Sequence, residues 1–174
     1  MKTITKTYSV YQFSELSKTS QDKVLENYHD INVDFEWWDS IYDDSHNIGI
    51  NITGFDLGIR RSIAYNIVLS SEEIINEILK NHGESSDTYN TTIEHKDKVL
   101  ELHKIIYEDD CNDDLNYTDL EYNLEDLENE YFRAISEDYL SMLNNEYGWL
   151  TSKEGIVDTL EANDFHFTLE GEIS

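Results

Sequence analysis

The chain has 174 residues, of which 39% are hydrophobic and 12% aromatic, and its 38 acidic and 12 basic side chains leave a formal net charge of -26. That length fits one domain, and twelve Tyr, six Phe and three Trp are more than a disordered acidic tail carries. The charge excludes direct binding to nucleic acid or to an anionic membrane, and it favours a positively charged protein surface as partner.

Thr3 to Val10 alternates Ile4, Lys6, Tyr8 and Val10 with Thr and Ser, which predicts a strand. Ser17 is an N-cap for a helix through about Asp30, with Val24, Leu25, Tyr28 and Ile31 on one face. A second helix is expected from about Asp34 to Asn47, its Phe35, Trp38 and Ile41 or Tyr42 facing inward and Gly49 stopping it. Ile50 to Leu57 and Ser62 to Leu69 read as strands joined through Gly58, an antiparallel hairpin bordered by Arg60 and Arg61. Ser70 and Glu73 form a capping box for a helix through Asn81, closed by Gly83. Glu84 to Tyr89 is polar and reads as loop.

Val99, Leu102, Ile105 and Ile106 predict a helix from about Thr91 to Tyr107, which Asp109 to Asn116 interrupts. Thr118 and Glu121 then cap a long helix with Leu120, Leu124, Leu127, Tyr131, Ile135, Tyr139 and Met142 at near-heptad spacing. Thr151 and Glu154 cap a helix through Ala162, and Phe165, Phe167 and Leu169 alternate in a closing strand. The sum is one α+β domain over residues 1–174, a small, mostly antiparallel sheet covered by several helices.

The charge is unevenly placed. Residues 1–104 hold 18 acids and 10 bases, whereas residues 105–174 hold 20 acids and only Arg133 and Lys153. Between Ile105 and Phe132 stand eleven carboxylates and no lysine or arginine: Glu108, Asp109, Asp110, Asp113, Asp114, Asp119, Glu121, Glu125, Asp126, Glu128 and Glu130. On the long helix, Asp119 to Glu130 places six charges over roughly 16 Å of axis at about 1.5 Å per residue. That is one charge per roughly 2.7 Å, against about 1.7 Å in duplex DNA; adding Glu108 to Asp114 brings the two densities closer, and such an array could occupy a basic groove that normally holds a phosphate backbone. Like charges at helical spacings repel by a few tenths of a kcal/mol per pair, a cost that points to a use for the charge.

A second patch, D-F-E-W-W-D-S-I-Y-D-D over residues 34–44, adds Asp39, Asp43 and Asp44, with Trp37 expected on the exposed side as an interface anchor. A solvated acidic helix of purely structural role is the plain alternative for both patches.

Other chemistry has less support. Asp110, Asn112, Asp114, Asn116, Thr118 and Glu121 match calcium-loop ligand spacing, but Leu115 stands where the sharp turn needs glycine. Six histidines form no H-E-x-x-H and no Cys/His cluster, so no zinc site and no cofactor is expected. Cys111, the single cysteine, permits no intramolecular disulfide and sits among acids that oppose thiolate formation. No phosphate-binding glycine loop or nucleophile elbow occurs, and the expectation is a protein that is not an enzyme. Met1 to Val10 has no apolar signal core, and no run of about 18 apolar residues occurs. Both point to the cytoplasm.

In the segments Y-Q-F-S-E-L-S (11–17), D-I-N-V-D-F-E-W-W-D (30–39), I-T-G-F-D-L-G (52–58), N-H-G-E (81–84), E-D-Y-L-S-M-L-N-N-E-Y-G-W-L-T-S (137–152) and E-A-N-D-F-H-F-T (161–168), the chain resembles a family of small acidic bacteriophage proteins. The resemblance assigns no residue a role. What it implies is a viral protein in a bacterial host, where such proteins act as DNA mimics against restriction enzymes or CRISPR effectors. The expected partner is therefore a basic, nucleic-acid-binding host protein. Two rival expectations stand beside it: an interaction module built on aromatics around Trp37, and a calcium-binding protein using the loop at 110–121.

Overall fold

Apolar alternation and well-placed caps account for most of the architecture. The computed structural model describes Thr7, residues 9–108 and residues 117–173, with side chains described outside 105–121. Six helices are present among these residues: Lys18–Asn27 (α1), Asp39–Asn47 (α2), Ser71–Asn81 (α3), Asp87–Glu108 (α4), Tyr117–Leu150 (α5) and Lys153–Ala162 (α6). Two strands, Ile50–Asp56 (β1) and Ser62–Ile67 (β2), pair antiparallel, so the chain is α+β. Its contacts gather into two compact units, one from the chain up to Trp37 together with residues from Asn145 on, the other from Trp38–Asn144.

In the Trp38–Asn144 unit, the hairpin register runs from Ile50 opposite Ile67 to Asp56 opposite Ser62, with an irregularity between Ile52 and Gly54. Glycine suits that step because an extra residue bends the strand there. Ile50 and Ile52 are buried while Asn51 and Thr53 face solvent, the period-two pattern of a half-covered sheet. Their core partners are Ile48, Ile74, Ile78, Tyr131, Ile135 and Tyr139. The last three stand four residues apart on α5 and so share one face. Burying each such side chain is worth roughly 1.5–3 kcal/mol.

Gly49 closes α2 at φ +90, donating to the His46 carbonyl at 3.0 Å while its own carbonyl accepts from Val68 N–H at 2.9 Å. A side chain there would be both left-handed and in collision with Leu69. Ser70 and Glu73 make the expected capping box on α3, whose hydrogen bonds from Ser70 hold the Glu73 carboxyl below its ordinary value. Helix α3 ends in extended backbone at His82, not in the expected glycine cap at Gly83.

In the other unit, Phe13, Leu16, Val24, Ile156, Leu160 and Phe167 form the core. A 3-10 turn at Phe13–Glu15 precedes α1, whose Ser17 cap accepts from Ser20 N–H as the sequence suggests. Asn32 is buried and fully used: its Nδ2 donates to the carbonyls of Leu150 at 3.0 Å and Gly155 at 3.2 Å, and its Oδ1 accepts from Thr159 Oγ1 at 2.7 Å. Gly155 is required because a Cβ would meet the Trp149 carbonyl.

Several boundaries differ from expectation. Helix α2 starts at Asp39, not Asp34, because Trp37 N–H bonds back to Phe35 at 2.8 Å and Val33 N–H to Asp30 at 2.9 Å, closing turns instead. Helix α4 starts at Asp87, since Ser86 Oγ accepts from Tyr89 N–H at 3.2 Å, so part of the predicted loop is helical. The α6 cap is Ser152, accepting from Gly155 N–H at 3.0 Å; Thr151 instead donates to the Tyr147 carbonyl at 2.7 Å. The closing strand reduces to isolated bridges of Phe167 with Tyr11 and Ile173. The predicted N-terminal strand lies largely outside the described residues, as do Asp109 to Asn116; the Thr118–Glu121 cap lies outside the described side chains. Among the described residues no helix is long and apolar enough to cross a membrane.

Candidate functional site

Helix α5 displays the part of the acidic run that the structure describes. Glu125, Asp126 and Glu130 are exposed and Glu128 is half-buried, with Leu124 and Leu127 half-buried between them. Glu125 with Glu128, and Asp126 with Glu130, sit at repulsive helical spacings. Among the described residues Glu130 is the one α5 carboxylate with a cation within 4.0 Å, Lys98 at 3.8 Å. Both side chains are exposed, so that pair is worth at most about 1 kcal/mol. Asp109, Asp110, Asp113 and Asp114 lie outside the described residues, and Glu108, Asp119 and Glu121 outside the described side chains.

Beside these acids, α3, α4 and α5 border an open groove of about 680 Å³. Ile75, Val99, Leu100 and Leu124 give it apolar walls, and Leu100 is 55% exposed. His95 is among its lining residues, 8% exposed, its ring stacked on Tyr131 with centroids 4.3 Å apart. Burial lowers the His95 pKa, with Glu128 opposing and Lys98 adding to the shift, so the ring is neutral at pH 7. Burial likewise pushes the Tyr131 phenol up to about 12, and that hydroxyl shares a 3.0 Å hydrogen bond with Thr92 Oγ1.

The second predicted patch is divided. Asp39 and Asp43 are exposed. Asp44 has intramolecular partners: Tyr139 donates its hydroxyl to Oδ2 at 2.8 Å, and His82 Nε2 approaches the same oxygen at 3.6 Å. The His82 side chain is buried, and its Nδ1 lies 2.7 Å from Thr88 Oγ1.

Trp37 is half-buried, not exposed, and its ring lies 5.8 Å from that of Tyr147. Phe35, expected inside, is 61% exposed. The reversal follows from the turn over residues 34–38, which replaces the helical phase the expectation assumed. Tyr147 and Trp149 are also exposed, at 42% and 51%, aromatic positions that no periodic signal in the sequence marks out. At the hairpin tip Ile59 is fully exposed beside Arg60 and Arg61, which have no carboxylate within 4.0 Å among the described residues.

Among the described residues no group of three or more His, Cys, Asp or Glu side chains could hold a metal ion. Of the calcium-type spacing, Asp110, Asn112, Asp114 and Asn116 lie outside the described residues, while Thr118 and Glu121 fall on the backbone of α5, their side chains outside the described set. Comparison with protein-family models, with curated proteins and with solved structures gives no match. What the surface offers is dense negative charge, an apolar groove and exposed aromatic rings.

Proposed function

We propose that this chain is a phage-type inhibitor, not an enzyme, that places its acidic α5 face in the nucleic-acid groove of a basic host defence protein of the restriction or CRISPR kind. The observation that carries the reading is the run of exposed α5 carboxylates with a single cationic neighbour among the described residues. Charges held on one rigid helix keep a fixed spacing, as phosphates on a duplex do, and need not be ordered at the moment of contact. Attraction between such a face and a basic cleft accelerates association and weakens as salt rises.

The test is capture from bacterial lysate on the immobilised protein, followed by elution with duplex oligonucleotide. A captured protein should be released by the duplex. The combined Glu125→Gln, Asp126→Asn, Glu128→Gln and Glu130→Gln variant should hold it at least about tenfold more weakly, about 1.4 kcal/mol. Release that ignores the duplex, or unchanged retention by that variant, sinks the reading.

One observation favours a second reading, an aromatic interaction module. Phe35, Tyr147 and Trp149 expose large rings within one unit, and exposed aromatic side chains are the usual anchors of protein interfaces. Here Phe35→Ala with Trp149→Ala should abolish capture, whereas the charge variant and added salt should matter little. These positions serve better than Trp37, whose packing on Tyr147 would confound the result.

A further inference from the structure

We infer that the groove between α3, α4 and α5 is a docking site for an amphipathic, cationic helix of a protein partner. This goes beyond the polyanion reading and stands without it, because contact with the groove's walls is apolar and needs no mimicry of phosphate.

Three features converge. The groove is large enough, at about 680 Å³, to receive several side chains. Its apolar walls come from three separate helices, Ile75 on α3, Val99 and Leu100 on α4, and Leu124 on α5. Leu100, at 55% exposure, leaves apolar surface in water that a partner would cover. The carboxylates of Glu72, Glu125 and Glu128 also line it, against the single lysine Lys96, and burial of the lining His95 disfavours its charged form. An occupant must therefore match an apolar stripe flanked by positive charge. A helix with apolar anchors at i, i+3 or i+4 and i+7 and lysines beside them has that pattern, and helix-borne lysine stems can lie along the walls while their ammonium groups reach the acids.

The probe is a fluorescein-labelled helical peptide of about five turns, leucine on one face and lysine on the other. Its control is a scrambled peptide of identical composition and charge without the stripe. Binding is read by fluorescence anisotropy and by amide chemical-shift mapping at about 0.15 M and about 0.5 M salt. The helical peptide should perturb residues 96–103 and 124–128 and bind at least about tenfold tighter than the scrambled one at both salts.

Leu100→Asp adds charge to the acidic face but interrupts the apolar wall. It should weaken the helical peptide by about tenfold and leave duplex-sensitive capture from lysate intact. That last arm separates the two readings, since failure of the polyanion reading removes duplex sensitivity without touching peptide binding. Circular dichroism of the variant checks that the fold persists. Equal affinity for the scrambled peptide, a footprint at Phe35 and Trp149, or indifference to Leu100→Asp would overturn the proposal. So would a concentration-dependent dimer that dissociates on Leu100→Asp or on Arg60→Glu with Arg61→Glu, because the occupant would then be the hairpin tip of a second copy.

Discussion

Tyr139 and Asp44 tie the edge of the acidic surface to the core. The tyrosine is fully buried, and burial together with the neighbouring Asp44 carboxylate pushes its phenol far above the ordinary value, so it remains a hydrogen-bond donor at any physiological pH. Replacing it, Tyr139→Phe, keeps the ring but leaves Asp44 without its 2.8 Å donor. Because Asp44 is part-exposed, water can take the donor's place, and the loss should be about 1–1.5 kcal/mol by denaturant unfolding.

Asp138 is also shifted upward, and in its case the shift costs stability. Burial raises its pKa, nearby Asp87, Glu94 and Glu137 add to the shift, and the Thr91 hydroxyl at 2.8 Å offsets part of it. The folded state therefore binds the proton more tightly than the unfolded one. This residue's penalty is fully felt above its folded pKa and fades as pH falls through that value. Asp138→Asn, which keeps an acceptor for Thr91, should raise the Tm by a few degrees at about pH 8, with the gain shrinking as acidification protonates the wild-type carboxyl. A gain that does not change with pH would place the effect elsewhere than in this ionisation.

At the level of elements, caps and stripes were the readable signals. The Ser70–Glu73 box and the Ser17 cap appear where local chemistry puts them, because each rests on neighbours within four residues, and the two hairpin strands follow from their apolar alternation and short connection. The misplaced features also rest on contacts within four residues, but which of several neighbouring groups makes the contact depends on the course of the surrounding elements. Thr151 and Ser152 are equivalent as letters, but only the second has its Oγ within reach of Gly155 N–H once α5 continues to Leu150. Ser152→Ala should therefore cost about 1 kcal/mol and Thr151→Ala only a few tenths, measured in parallel melts. The groove was illegible for a similar reason: Ile75, Val99 and Leu124 each look like ordinary core positions until three helices bring them to one opening. The acidic run, by contrast, was plain in the letters, since charge density needs no tertiary information. Phe35 and Trp37 exchanged roles because a turn of two hydrogen bonds shifts helical phase, a change that periodicity cannot register.

For the molecule as a whole, -26 charges on 174 residues oppose compaction at every step. The ion pairs among the described residues link exposed side chains, apart from the buried His82, and offset little of that repulsion. Screening shortens from about 30 Å at 0.01 M salt to about 3 Å at 1 M. Calorimetric melts across that range should show stability rising with salt, by about 1–2 kcal/mol or on the order of 5 °C. A flat or falling Tm would mean that the acids are balanced by interactions other than self-repulsion. The same salt that steadies the fold should slow its capture by a basic cleft, so the two responses have opposite signs and can be separated in one titration series.

The two cores also differ in when they can exist. Ile48 through Tyr139 lie in one continuous stretch, so that nucleus has all its parts before the last members of the other core are made. Phe13, Leu16 and Val24 must wait for Ile156, Leu160 and Phe167, which are made much later in the chain. Through that interval Phe13, Leu16 and Val24 lack their native cover, and newly translated protein is more open there to proteases and to misassociation.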